Sequence, residues 1–316
     1  MPPVRSGESL IRVTAIGLCG SDLHWYGEGQ IGDSGMSRPL VLGHEFAGVV
    51  EGGPLDGVRV AVDPAVPCEE CSICRDGNHN LCPNVIFAGH GTQDGALREF
   101  ISWPTHLLHE LPDSIDDVGG AVLEALGVAL HAMNLAHMRP GSTVAVVGTG
   151  PLGLLVVQAA RAAGAGRIIA VDPIDVRCTA AIACGADDSI TPDQARNGGI
   201  RELAGDWGVD VAFEVAGNDD AVGIALDAVR PGGRVLMVGI PDDDRVAFSA
   251  ATARRKGLTL VFVRRMQDLY DRAIRLVTRG AIDLDAVVSH HFELANADEA
   301  FKFASTRQAL KVIVHP

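Results

Sequence analysis

The sequence predicts an α/β protein of two domains, a β-rich lobe followed by a doubly wound parallel sheet, and three observations carry that reading. The chain has 316 residues, which at about 150 residues per domain leaves room for two cores. Short apolar runs punctuated by Gly, Pro and Asp fill roughly the first 120 residues, the pattern of strands and turns rather than helices. From Thr143 onward, strand-like runs alternate with helical stretches, as βαβ units around a parallel sheet require.

In the first region the strands are expected at Leu10 to Ala15, Ala47 to Val50 and Val58 to Val62. In the middle they are expected at Val144 to Val147, Ile168 to Val171, Val209 to Val215, Val235 to Val238 and Leu258 to Val263. Helices fall at Leu152 to Ala163 and Ala221 to Val229. After about residue 264 the chain offers helices near Leu269 to Thr278 and Ala297 to Ser305, then a closing strand, Ala309 to Val314. About fifty residues hold no further domain, so the tail is expected to return to the first lobe. The domains are therefore placed at 1–122 with 265–316, and at 123–264.

Forty acidic against 26 basic side chains give a net charge of -14, a field that repels phosphate backbones and anionic lipid; neither nucleic acid nor a membrane is an expected partner. The N-terminus, Met1 to Glu8, lacks the basic start and apolar core of a secretory signal, and a cytoplasmic protein is expected. The uncharged stretch Pro140 to Ala160 is long enough to span a bilayer. Its Gly-Thr-Gly-Pro-Leu-Gly interruption marks a strand, a turn and a helix instead.

That interruption is Gly148-Thr149-Gly150-Pro151-Leu152-Gly153, between an apolar strand and an Ala-rich helix, with Asp172 closing the next strand. The arrangement is that of a dinucleotide site: glycines permit the turn and the approach of a pyrophosphate to the helix N-terminus, and the acid accepts the ribose hydroxyls. A carboxylate there repels a 2′-phosphate, so NAD is expected rather than NADP.

Seven cysteines are present, and Cys68, Cys71, Cys74 and Cys82 form C-x2-C-x2-C-x7-C. Four thiolates close a tetrahedral zinc shell and leave no open position, so that metal is structural. A nucleic-acid-binding ribbon fits poorly, because Glu69 and Glu70 lie inside the motif. Cys178 and Cys184 carry no motif and read as small helix residues. Cys19, His44 and Glu45 together offer ligands for a second, open zinc site. Glu124, alone in the apolar stretch Val122 to Leu130, would be costly to bury without a cation or a proton.

From Gly7 to Pro316 the chain resembles the zinc-dependent medium-chain dehydrogenase/reductase family, in its polyol (sorbitol, xylitol) dehydrogenase-like branch. The residues that carry this are Gly17 to His24, Gly43 to Gly48, the four-cysteine run, Leu123 to Ala132, the glycine-rich turn with Asp172, and Lys311 to Pro316. The resemblance implies a GroES-like first domain, a Rossmann second domain and an active site between them, with two zinc ions per subunit and NAD. It implies Cys19 and His44 as catalytic zinc ligands. Glu45 matches a carboxylate that can join or leave the shell, and Glu124 one that binds directly or through water; which is bound stays open. Ser21 matches the group that takes the substrate hydroxyl proton, His24 the one that passes it to solvent through the cofactor ribose, and Asp22 the partner that orients His44. Val238, Gly239 and Ile240, with Glu214 to Gly217, match strand ends lining the cofactor cleft. Arg264 or Arg265 matches an anchoring position.

The implied reaction is reversible NAD-dependent oxidation of a secondary alcohol, a polyol first, by a homodimer or homotetramer. The alternatives are another alcohol class, such as a 3-hydroxy amino acid or butanediol, and a zinc and NAD-binding protein without turnover. Three departures from the family bear on this. Cys19 comes early, as though a first hairpin were shortened and a strand edge left open; the loop between Val49 and Val60 is short; and Ala125 stands where proline is common.

Overall fold

The computed structural model describes residues 1–241 and 245–316. The chain divides into two compact units. One comprises Met1–Gly127, Met266–Gly280 and Val288–Pro316; the other comprises Val128–Arg265 and Ala281–Val287.

The first unit is built on a seven-stranded sheet. Its path runs Val288–Glu293, Lys311–His315, Glu8–Gly17, Glu45–Glu51, Arg59–Val62, Leu108–Glu110, with Phe100–Pro104 also paired to Glu8–Gly17. The long first strand holds three neighbours because two short ones share one edge, residues 8–12 facing Phe100–Pro104 and residues 16–17 facing Lys311–His315, while Glu45–Glu51 takes the other edge with a bulge between Val13 and Ala15. Ile11, Val13, Ile16, Phe46, Val50, Val60, Val62 and Trp103 form the core beneath it. Burying each large side chain contributes about 1.5–3 kcal/mol relative to leaving it in water. Gly48 is required where two strands press together, since a Cβ there would sit 2.4 Å from the Arg12 carbonyl oxygen. Tyr270, brought in by the helix Tyr270–Thr278, donates its hydroxyl to the Val62 carbonyl at 2.7 Å and stacks on His109.

The second unit holds a six-stranded, all-parallel sheet in the order Asp188–Ile190, Arg167–Val171, Thr143–Val147, Val209–Glu214, Val229–Met237, Thr259–Phe262. Numbered along the chain this is 3-2-1-4-5-6, so the order reverses between Thr143–Val147 and Val209–Glu214, and ligands bind such sheets at the carboxyl ends beside that reversal. Val144, Ala145, Val146 and Ile168 are fully buried, as expected for strands covered on both faces.

The reading of the first 120 residues as strand and loop alone is corrected. Gly20–Glu28 is a helix, Ser72–Arg75 is a single helical turn, and Asp117 starts a helix that runs to Ala136. Gly20–Glu28 buries only Asp22 and Trp25, so it has no apolar stripe to betray it. Its start is fixed by Asp22, whose carboxylate accepts the Cys19 N–H at 3.0 Å. Asp117–Ala136 is long and apolar enough to cross a membrane, but 78% of its apolar window is buried in the fold, as in a core helix. Short pieces with weak patterns, such as Asp188–Ile190, Pro192–Arg196 and the exposed edge strand Val288–Glu293, also lie outside the sequence expectation.

Candidate active site and metal centre

Cys68, Cys71, Cys74 and Cys82 bring four sulfurs within 4.8 Å of one another. The backbone is shaped around them: Cys68 N–H points at Cys82 Sγ and Cys74 N–H at Cys71 Sγ, both at 3.4 Å. The N–H groups of Glu70 and Cys71 pull the Cys68 thiol down to about 6, favouring the thiolate, while burial pushes Cys74 up to about 12. Four soft donors at this separation, with N–H groups turned toward the sulfurs, fit a structural zinc ion. The lobe is tied down by Gln267, whose side-chain amide donates to the Gly77 carbonyl.

The second cluster follows from strand register. Gly17 and Glu45 are directly opposed across antiparallel strands, so Cys19, just past one strand end, meets His44 and Glu45 at the start of the other. One ligand atom from each of the three lies within 4.8 Å of the others. Asp22 is fully buried and accepts from Cys19 N–H at 3.0 Å and Gly43 N–H at 3.2 Å, and its carboxylate lies 3.3 Å from His44 Nδ1. That contact leaves Nε2 as the ring nitrogen able to ligate. Burial works against a charged His44, but Asp22 and Cys19 outweigh it and hold the imidazole well above its usual value. In Asp22 burial acts upward, yet His44 and the backbone N–H groups keep the carboxyl below its ordinary range. A thiolate, an imidazole and a carboxylate make a donor set suited to zinc with positions left open.

Glu124 projects from the helix Asp117–Ala136 and is buried, outside that trio. Burial raises it to about 7, opposed by the charges of His44 and Lys311 and reinforced by those of Glu45 and Asp63. Lys311 entered the sequence reading only as the first residue of a terminal motif, with no role assigned. Its ammonium donates to Glu45 Oε2 at 2.6 Å and Oε1 at 2.8 Å, and to the Leu18 carbonyl at 3.1 Å. A single charge in the apolar run Ala309 to Val314 was the available signal.

Ser21 and His24 lie on the helix that begins beside Cys19, both half-buried, with His24 Nδ1 3.4 Å from the exposed Glu28 carboxylate. Next to the trio, the Phe87 ring packs 5.2 Å from that of His44, and Trp25 Nε1–H donates to His90 Nδ1 at 3.3 Å.

In the second unit the glycine-rich turn connects Thr143–Val147 to the helix Pro151–Ala162, with Pro151 at its first position and Leu152 next. Gly148 has φ +94°, and a Cβ on Gly153 would sit 2.0 Å from the Gly148 carbonyl oxygen, so strand and helix can meet only without side chains there. Asp172 is buried, and its carboxylate accepts Thr149 N–H and Ile174 N–H. The neighbouring strand ends close around the turn. A Cβ on Gly148 would lie 2.7 Å from Ala216 N, one on Gly239 would lie 2.2 Å from Gly217 N, and Glu214 accepts the N–H groups of Ala216 and Gly217. Val238 is buried and Ile240 half exposed. Arg177, passed over because it lies five positions after Asp172, brings Nη1 to 3.6 Å from where a Gly150 Cβ would be. A helix start behind a glycine-rich turn, a buried acid at the end of the next strand and this arginine fit a dinucleotide. Arg264 and Arg265 follow the strand Thr259–Phe262, Arg265 with φ +54°.

Residues 5–113 match the family model of the alcohol dehydrogenase GroES-like domain, and residues 151–279 that of the zinc-binding dehydrogenases. The chain is 36% identical to the sorbitol dehydrogenase of Bacillus subtilis (strain 168) over 325 residues, covering 100% of this chain and 92% of the relative. It is 33% identical to the L-idonate 5-dehydrogenase of Vitis vinifera, covering 99% and 89%. Among solved structures it superimposes on a zinc-binding dehydrogenase from Sinorhizobium meliloti 1021 bound to NADP, with a TM-score of 0.90, 30% identity and coverage of 100% and 94%.

Proposed function

The chain belongs to the zinc-dependent medium-chain dehydrogenase family, in its polyol dehydrogenase-like branch, and on that premise we propose that it reversibly oxidises a secondary alcohol, a polyol, to a ketone with NAD as oxidant. The observation that carries this reading is the register that gathers Cys19, His44 and Glu45, with Ser21 and His24 on the helix starting beside them.

Cys19, His44 and one of the two carboxylates, Glu45 or Glu124, would hold the catalytic zinc, and the four-cysteine lobe would hold the structural one. When bound, zinc supplies Lewis-acid polarisation of the substrate oxygen and NAD supplies the hydride acceptor. Asp22 fixes the His44 ring. Ser21 would take the proton of the substrate hydroxyl as it gives up its own, and His24, with Glu28 beside it, would pass a proton on to solvent. Gly148, Gly150, Pro151, Leu152 and Gly153 would receive the pyrophosphate, Asp172 the adenosine ribose, and Val238, Gly239 and Ile240 the nicotinamide half.

NAD is favoured because the buried Asp172 carboxylate would face the 2′-phosphate of NADP. Two features support the partners and the compartment. Phe262 is 69% exposed on the open edge strand Thr259–Phe262, which suits association of copies of the chain. Four cysteines gathered in one metal-ligating cluster suit a reducing cytoplasm better than a disulfide framework would. The test is a panel of polyols, 3-hydroxy amino acids and butanediol offered to zinc-replete protein with NAD. Reduced nicotinamide with polyols first is the expected result; turnover confined to another alcohol class would overturn the substrate reading.

A further inference from the structure

We propose that Lys311 is a positioning residue of the catalytic metal centre: it holds Glu45 by both oxygens and supplies the positive charge that lets several anionic ligands share one buried site with a divalent cation. The inference rests on the assignment of Cys19, His44 and Glu45 to that site.

Lys311 opens the strand Lys311–His315, and its side chain is 3% exposed against 1% for Glu45. An ammonium has three N–H donors, and three acceptors surround it: Glu45 Oε1, Glu45 Oε2 and the Leu18 carbonyl. Nothing is left over to bind water, so the group is built in. The Leu18 carbonyl precedes Cys19, which ties the lysine to the backbone of one ligand and to the side chain of another. A Cβ on Gly17 would lie 2.3 Å from Glu45 Oε2, so the carboxylate is pressed against the opposing strand and its freedom is small.

The same carboxylate thus faces a fixed cation on one side and the Cys19–His44 pair on the other. A bound divalent ion would meet the Cys19 thiolate and the Glu45 carboxylate, with Glu124 buried close enough for its charge to be felt by Glu45 and Lys311. Three negative charges then stand against two positive ones, and Lys311 supplies the third. Asp22 is satisfied separately by two backbone N–H groups and the His44 ring.

A consequence separates this role from that of an ordinary core ion pair. In the metal-free protein Lys311 is the cation that answers Glu45, and losing it strands a buried charge. In the metal-loaded protein the ion takes over part of that task. The loss should therefore depend on the metal, which a purely structural pair would not show.

The experiment compares melting curves of the full chain, zinc-loaded and stripped by a chelator, for the unaltered protein, Lys311→Met, Lys311→Arg and Lys311→Met/Glu45→Gln. Lys311→Met should lower the melting temperature at least about twofold more in the stripped form than in the zinc-loaded form. Lys311→Arg should restore most of the loss. The double variant should recover the stripped form, because a neutral amide needs no counter-charge. With cobalt(II) replacing zinc, the ligand-field spectrum should shift in Lys311→Met and not in Lys311→Arg. Equal losses in both metal states with an unshifted spectrum would overturn the proposal. If Lys311→Met fails to fold, the double variant decides: its failing too would overturn the role. A protein whose Cys19→Ser variant keeps all its zinc would contradict the metal assignment instead, a distinct result.

Discussion

The carboxylate of Asp172 accepts the Thr149 N–H at 2.8 Å and the Ile174 N–H at 3.0 Å, which ties the end of one strand to the glycine-rich turn at the end of its neighbour. Two backbone N–H groups thus hold the acid where it stands. NAD is expected to be favoured over NADP by roughly tenfold to a hundredfold, the effect of about 1–3 kcal/mol of like-charge repulsion. Asp172→Ser should narrow that ratio, the more so because Arg177 lies against the same turn. The ratio of kcat/KM for the two cofactors measures it; equal or better turnover of the unaltered protein with NADP would contradict the reading.

The two metal clusters should separate on mutation. Cys19→Ser or His44→Ala should remove about one equivalent of zinc and abolish hydride transfer while the NAD site persists. Cys71→Ser also removes about one equivalent, but from the closed shell that pins a lobe, so heat resistance falls first and activity follows. Zinc counting, melting curves and NAD titration on the three variants distinguish the patterns.

Asp22 should matter through His44. Asp22→Asn retains an acceptor for the Cys19 N–H that caps the helix, yet no longer offers a carboxylate to the ring. Zinc affinity at the open site is expected to fall about 10–100-fold, with the four-cysteine site unaffected. Competition with a chromophoric chelator resolves the two sites; unchanged affinity would show that backbone geometry alone orients His44.

His109 supplies a pH dependence in the first unit. Burial against Tyr270, 4.3 Å between ring centroids, pushes its imidazole below the usual value, and Asp271 and Asp268 only partly offset this. The folded protein therefore binds fewer protons here than the unfolded chain. Stability is complete above the unfolded pKa of about 6.5 and declines as pH falls through the lower folded value. His109→Phe keeps the stacked ring without the charge and should flatten the melting profile between about pH 7 and pH 5. Parallel profiles for the two proteins would contradict the assignment.

Legibility in the sequence tracked how local the information was. The four-cysteine site and the glycine-rich turn are set by spacing along one stretch of chain, and both were readable from residue types alone. Cys19 and His44 become neighbours only through the pairing of Gly17 with Glu45, so residue types marked them as candidate ligands while the family resemblance implied their roles. Lys311 reaches Glu45 from the far end of the chain; the lone charge in an apolar run signals a buried partner without naming it. The parallel strands announced themselves as apolar runs because both faces are covered. Gly20–Glu28 did not, since its stability comes from a cap and from tertiary packing rather than from an amphipathic stripe.

The central claim is that Cys19, His44 and a neighbouring carboxylate hold a zinc ion that drives oxidation of a secondary alcohol by NAD. It is tested most directly by following formation of reduced nicotinamide with zinc-replete protein, NAD and a polyol, beside the Cys19→Ser variant. Turnover by the unaltered protein, lost in the variant together with about one zinc, is the predicted result. Full activity and full zinc in Cys19→Ser would contradict it.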